Sequence, residues 1–401
     1  MPLLATAETG HPAEKVTVAQ LEARLAVEHS LPDGKIAHSL SGLELTERLS
    51  TTRLQRLEAD LPGKKSRQAL VVLADFSAFL APPPSEIPDP TLPSHVKTSQ
   101  IAGKAVQYLV QVIPTLPNYL ATRVTNRFED TLPAPSWSGG QVVAHQLHFE
   151  VGPLAPVQAE RRGPNQPMHW TSVSNETVTV RDGKEFVEEA DSRKKKTESN
   201  SSNLVSGGEF GTVLIGLITD AFRGKVSWSR WETRDSKPVA IFRYFVSQKD
   251  SHFAVFERVQ GQARPVYPAY HGEIAIDPDQ GTILRLTMQG EWKPGDQNVR
   301  SDVSVEFAPV EIGGKSYYCP SRSIVVSVLH PILPSTAMSN GPGRIDEETT
   351  HTKLNDVQFS NYHRFRAEIR VLTGDVPEPA ATQPTPKSPD DGPRQIGRAH
   401  V

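Results

Sequence analysis

The sequence is short of cysteine and of long apolar runs. Its 401 residues include a single cysteine, Cys319, so neither an intrachain disulfide nor a cysteine-rich metal site can form. No apolar run approaches the roughly 18 residues that a spanning helix requires, and we therefore expect no transmembrane segment. Scarce cysteine fits a cytosolic protein, and it equally fits an exported bacterial protein that avoids thiols.

An excess of positive charge is also missing. The chain has 43 Lys and Arg residues against 46 Asp and Glu residues, which gives a formal net charge of −3. Domains that bind nucleic acid carry a strongly basic surface. We therefore expect no nucleic-acid partner.

The common catalytic signatures are absent as well. The sequence has no G-x-S-x-G elbow, P-loop, H-E-x-x-H helix or dinucleotide fingerprint. The glycines of "GGEFGTVLIG" (207–216) have the wrong spacing for a phosphate loop, and they indicate a helix start. Asp277 and Asp279 are separated by Pro278, and a β-turn explains them better than a calcium loop. We expect no metal, no cofactor and no enzymatic activity.

Both ends of the chain look unusual. Residues 1–14 begin "MPLLATA", and we expect either a disordered segment or the remnant of a signal peptide, with its apolar stretch and small-x-small cleavage site. The second reading implies export, and a cytoplasmic location is the alternative. Residues 373–394 are rich in proline and predict a disordered tail. The last seven, "QIGRAHV" (395–401), match the translation of a common sequencing adapter, and we expect them to be an assembly artefact.

Residues 15–82 predict a small helical module. Thr17 to Gln20 has the pattern of a capping box, and Ser41 to Glu44 repeats it, so a helix is expected after each. Mixed charges along these helices favour a packing module over a DNA-reading one. The proline-rich segment 83–98 predicts a linker.

Residues 99–372 predict an antiparallel β domain. Strand candidates include "VQYLVQVI" (106–113), "YLATRVTNRF" (119–128) and "GQVVAHQLHFEVG" (140–152), and strands follow densely from residue 225. One helix, at 207–222, is expected among them. The predicted fold class is therefore α+β, with a large curved antiparallel sheet (a half-barrel), a covering helix and a preceding helical module.

Alternating apolar residues predict which side chains line this sheet. The hairpin "YHGEIAIDPDQGTILRLTM" (270–288) and the strand "DVSVEFAP" (302–309) each place apolar side chains on one face. That face must be covered by protein or must line a cavity. The predicted cavity-lining, ligand-binding residues are Leu284, Leu286, Met288, Val303, Val305 and Phe307.

The segment 207–372 resembles exported bacterial proteins of the outer-membrane lipoprotein carrier type, which are LolA-like half-barrels. The likeness lies in the helix "GGEFGTVLIGLITDAF" (207–222), the strands that follow it, the 270–288 hairpin and the closing "LNDVQFSNYHRFRAEIRVL" (354–372). It implies a periplasmic protein whose partner is a lipid or a lipoprotein acyl chain. Two other hypotheses remain open: a structural or interaction module of the cell envelope with a filled core, and a hydrolase with an unrecognised site. Neither the pattern nor the resemblance indicates an oligomeric state.

Overall fold

The computed structural model describes residues 13–88, 92–111, 115–130, 167–181, 184–189, 212–259, 262–330, 332–333, 344–345 and 349–365. The expectations for residues 1–12 of the N-terminal segment, the strand at 140–152, the proline-rich tail and the adapter segment lie outside the described residues. Glu14, the last residue of the predicted N-terminal segment, is the first residue of a short strand.

The N-terminal module combines four short helices with two short strands. Its elements are β1 (Glu14–Val16), α1 (Val18–Glu28), α2 (Asp33–Ser41), β2 (Leu43–Leu45), α3 (Thr51–Asp60) and α4 (Lys64–Ser77). The capping box at α1 is confirmed. The backbone N–H of Gln20 donates to Thr17 Oγ1 at 3.2 Å, and the backbone N–H of Thr17 donates to Gln20 Oε1 at 2.8 Å. The helix expected after Ser41 is wrong. Residues 43–45 form the strand β2, which pairs with β1 in parallel. The side chains of Leu43 and Leu45, on either side of Glu44, are buried in the module core.

Leucine side chains from all four helices form the core of this module. Short helices gain most of their stability from such packing. The buried members of the cluster are Val16, Val18, Leu21, Leu25, Ile36, Leu40, Leu43, Leu45, Leu49, Leu54, Leu57, Leu61, Leu70, Leu73 and Ala74.

The rest of the described chain is mostly β structure. Its elements are α5 (His95–Gln111), β3 (Tyr119–Asp130), β4 (Met168–Arg181), β5 (Lys184–Glu189), α6 (Thr212–Arg223), β6 (Lys225–Arg234), β7 (Lys237–Val246), β8 (Val255–Val259), β9 (Gln262–Val266), β10 (Tyr270–Ile276), β11 (Ile283–Gly290), β12 (Asn298–Ile312), β13 (Lys315–Leu329), β14 (Ile332–Leu333), β15 (Arg344–Ile345) and β16 (His351–Arg364).

The strand expected at 106–113 is wrong, because residues up to 111 belong to α5. Its β-branched and aromatic residues favour a strand when taken alone. In the fold, Ile101, Ala105 and Leu109 recur every four residues and are buried together. This helical period decides the conformation. Two helices, α5 and α6, therefore accompany the sheet where one was expected.

Ten strands form one large, curved, open antiparallel sheet, which confirms the predicted fold class. The strand order is β6-β7-β10-β11-β12-β13-β16-β3-β4-β5, with the β8–β9 and β14–β15 hairpins outside it. The chain meanders from β6 at one edge to β13, and β16 then pairs with β3.

The sheet carries helices on both of its faces. On the face that we call the module face, Phe76, Phe79 and Ala78 at the end of α4 pack on Ile324 and Leu354. On the opposite face, called the α5/α6 face, α5 and α6 pack on the strands from β6 to β12. The described residues, the last of which is Phe365, belong to one compact unit. Within the described residues, no helix combines the length and apolar character that crossing a membrane requires.

Candidate ligand-binding face of the sheet

An extensive apolar cluster occupies one half of the α5/α6 face. Because side chains alternate along a strand, every second residue of β7, β10, β11 and β12 projects into it. Two aromatic groups lie inside: Trp228 contacts Trp231 and Phe242 edge-on, and Tyr270 contacts Tyr244 and Phe253. The buried strand members are Trp231, Ala240, Phe242, Tyr244, Val246, Tyr270, Ile274, Ile276, Ile283, Leu286, Met288, Val305 and Phe307.

Five of the six residues predicted to line a cavity belong to this cluster. Leu286, Met288, Val305 and Phe307 are buried in it, and Val303 packs at its margin. The structure therefore brings these five side chains together, against α5 and α6.

Leu284 departs from the expected alternation. A bulge in β10–β11 pairs Ala275 with Arg285 and Ile276 with Ile283, which leaves Leu284 as the extra residue. Its side chain packs with Val239 and Ala275 on the module face. The expectation that Leu284 shares a face with Leu286 and Met288 is therefore wrong.

Helix α5 rests on the tip of the 270–288 hairpin. Lys104 Nζ donates to the carbonyl oxygens of Pro278 and Asp279 at 3.1 and 3.0 Å. Gly281 has φ +74°, and a Cβ there would lie 2.4 Å from the carbonyl carbon of Lys104. Glycine is thus needed both for the turn conformation and for the close approach of the helix. The hairpin serves as the seat of α5.

Helix α6 is attached through a buried carboxylate. The backbone amide of His252 donates to Asp220 Oδ2 at 3.0 Å, and the Tyr270 hydroxyl lies 3.3 Å from the same oxygen. Burial raises the pKa of Tyr270, with the nearby Asp220 adding to the rise, so the phenol stays protonated. His252 Nδ1 is 2.9 Å from both Asp220 oxygens. Among the described residues, His252 has Asp220 as its only side-chain partner, and no serine completes a nucleophilic triad.

The module face carries an ionic network that the sequence analysis missed. Glu232 lies 2.5 Å from Arg48 of the module and 2.5 Å from Arg230 of its own strand, and Arg285 lies 3.8 Å away. Burial alone would raise the pKa of Glu232, but Arg285, Arg48 and Arg230 outweigh it and lower that pKa to about 2. Burial lowers the pKa of Arg285 to about 10. These charged residues alternate with apolar residues along β6 and β11. That alternation is the sequence pattern from which a charged face could have been predicted.

A second buried network joins α4 to the centre of the sheet. Arg322 of β13 donates to Asp75 of α4 at 2.6 Å and to Asp356 of β16 at 2.9 Å. Asp75 is fully buried, and burial raises its pKa well above the usual range. Its Oδ2 has no hydrogen-bond partner among the residues that the structure describes. Both networks connect the N-terminal module to the sheet. The module face of the sheet is therefore the surface against which the module packs.

Comparison of the chain with protein-family models, with curated proteins and with solved structures gave no match. The apolar half of the α5/α6 face is thus the candidate site on geometric grounds alone.

Proposed function

We propose that this protein is a non-enzymatic lipid-binding protein that holds a lipid or a lipoprotein acyl chain between the sheet and helices α5 and α6. One observation carries the proposal: a continuous apolar cluster on strands β6 to β12 is covered on its open side by two helices rather than by a second sheet. A helix can shift as a unit without breaking the ladder of a sheet, so this cover can make room for a chain.

The hold of α5 on the sheet is modest. The helix buries Ile101, Ala105 and Leu109, and the exposed Lys104 makes two hydrogen bonds to the turn between β10 and β11. Burying a large aliphatic side chain contributes about 1.5–3 kcal/mol, and each buried methylene of a ligand contributes about 0.8 kcal/mol. A long acyl chain therefore offsets the displacement of α5.

We also propose that the protein is exported to the periplasm. The apolar and small residues at 3–7 support this location, as does the resemblance to lipoprotein carriers. Fractionation of the source cells checks it, and recovery with the cytoplasmic fraction would contradict it.

The binding experiment uses displacement of a fluorescent apolar dye by palmitate from delipidated protein. Val303→Trp adds bulk at the margin of the apolar cluster, and we expect it to weaken palmitate binding about tenfold. The matched control is Val328→Trp, because Val328 is also partly buried on a neighbouring strand but packs on the module face. No displacement from the wild-type protein, and no dye uptake, would contradict the proposed function.

A second candidate function is that of an interaction module with a filled core. The observation that favours it is the burial of Leu286 and Val305, which are 0% and 1% exposed. This candidate predicts that neither dye nor palmitate binds and that native mass spectrometry of freshly purified protein shows the bare chain. The same experiment therefore separates the two functions.

A further inference from the structure

The α5/α6 face changes from apolar to polar along the strand order. One row of directly paired residues runs Ser172, Arg127, Asn355, Val325, Val303 and Met288. Paired residues in a sheet project from the same face. The row therefore begins with polar side chains on β4, β3 and β16 and ends with apolar ones on β12 and β11.

The two neighbouring rows are also polar on β4, β3, β16 and β13, apart from Val357, and the second of them stays polar at Ser301 of β12. One runs Ser174, Thr125, Val357, Ser323, Val305 and Leu286, and the other runs Glu129, Lys353, Ser327 and Ser301. Adjacent strands lie about 4.8 Å apart, so four strand steps from β3 to β11 span about 19 Å. We call the polar residues of the three rows on β4, β3, β16 and β13, together with Ser301 of β12, the polar half of the face.

Several donors in the polar half are buried without a partner among the described residues. The side-chain atoms that make no hydrogen bond there are Arg127 Nε, Ser174 Oγ, Ser301 Oγ and Ser323 Oγ. Ser323 is 0% exposed and Ser301 is 6% exposed. A buried polar group without a partner costs about 1–3 kcal/mol. Four such atoms lie on this one face, and the described residues supply no hydrogen-bond partner for them.

The charges of the polar half leave one arginine unmatched. Lys353 lies 3.8 Å from Glu129. Arg123, two residues before Thr125 on β3, forms an ion pair with Glu176 at 2.6 Å. Arg127 forms no ion pair with a carboxylate in the part of the chain that the structure describes. Its guanidinium offers a charge and an unused N–H donor to a ligand with anionic oxygens.

We propose that the polar half is a head-group site for an amphiphile with one anionic oxygen group, a phosphate or a carboxylate. Arg127 and Ser174 bind the anionic group, and Ser323 and Ser301 lie where the polar linkage of such a molecule reaches the strands that hold its chain. The hydrocarbon then extends over Val303, Val305, Leu286 and Met288. This inference rests on the proposed function, and it adds the class of ligand and its direction across the strands.

The test compares four single-chain probes by dye displacement from the full chain. Lysophosphatidic acid has a phosphate and an ester, palmitate has a carboxylate, monopalmitoylglycerol has an ester without charge, and hexadecanol has neither. We expect the two anionic probes to bind about tenfold tighter than the two neutral ones, because a hydrogen bond to a charged group is stronger than a neutral one. Tighter binding of lysophosphatidic acid identifies a lipid phosphate as the source, and equal binding of palmitate identifies a free fatty acid.

Arg127→Met is the decisive variant, because methionine keeps an apolar stem without charge or donors. It should bring the anionic probes to the affinity of the neutral ones and leave the neutral affinities unchanged. The control is Arg243→Met, since the Arg243 side chain is 65% exposed and lies on the module face. Urea midpoints of both variants check folding. Equal binding of anionic and neutral probes to the wild type would overturn the head-group site alone, whereas failure of all four to bind would overturn the proposed function as well.

Discussion

Replacing Gly281 with alanine tests whether the hairpin tip seats α5. The residue has φ +74°, and the added Cβ would lie 2.4 Å and 2.5 Å from the carbonyl carbon and oxygen of Lys104 and 2.8 Å from the amide nitrogen of Ala105. A left-handed backbone costs a residue with a Cβ about 1–2 kcal/mol. The contacts are with helix backbone, which cannot rotate away, so α5 must move or the turn must change. Overpacking of this kind typically costs about 1–3 kcal/mol more.

Gly314→Ala separates the two contributions. Gly314 lies in the turn between β12 and β13 with φ +80°, and a Cβ there meets nothing within 4 Å. We therefore expect Gly314→Ala to lower the free energy of unfolding in urea by about 1–2 kcal/mol and Gly281→Ala to lower it by about 2–5 kcal/mol. Hydrogen exchange of the α5 amides should accelerate in Gly281→Ala alone. Equal losses of stability, with unchanged exchange in α5, would refute the role of the hairpin as the seat of this helix.

Three further predictions concern buried charges and the single thiol. Arg322→Met should destabilise the protein by about 3–5 kcal/mol in urea, because it leaves Asp75 and Asp356 buried without their cation; a loss below about 1 kcal/mol would show that the pairing is weak. Glu232 has a lowered folded-state pKa of about 2, so its contribution is present above the unfolded pKa and is lost as pH falls through about 2. The difference in melting temperature between wild type and Glu232→Gln should therefore shrink from pH 6 to pH 2, and a constant difference would contradict this linkage. Cys319 is buried and burial raises its pKa to about 12, so a thiol reagent at pH 8 should label it only after unfolding; rapid labelling of the native protein would contradict this placement.

The large antiparallel sheet could be predicted because its signals are local. The run Asp277 to Gly281 marks a turn by residue type, and Val303 and Val305 alternate with polar neighbours along β12. The capping box at Thr17 is equally local, since both of its hydrogen bonds join residues three apart. Patterns that span only a few residues can be recognised without knowledge of the tertiary fold.

The structure departs from the sequence pattern where distant packing or an irregular pairing decides the conformation. Part of α5 has the pattern of a strand, because its valines and Tyr108 favour β structure, and the partners on β10 to β12 that make it a helix are distant in sequence. Leu284 lies on the face opposite to the one that alternation predicts, because a one-residue bulge reverses the direction of every side chain counted through it. Such a bulge has no signature in the alternation itself.

The candidate site was predictable only in its apolar half. Leu286, Met288 and Val305 stand out by period, whereas the polar half joins β4, β3 and β16, whose register the sequence does not reveal. Nothing in the sequence distinguishes Arg127 from the other arginines. Its position becomes clear only from the register, which pairs it with Ser172 on one side and Asn355 on the other.

The most direct test of the central claim is photo-crosslinking with a palmitate analogue that carries a diazirine near the end of its chain. Mass spectrometry of the digested adduct would locate the labelled residues. An acyl chain bound on the α5/α6 face should place the label on β11 or β12, within Ile283–Gly290 or Asn298–Ile312, or on α5 above them. Label confined to the N-terminal module, or no label at saturating probe, would contradict the account.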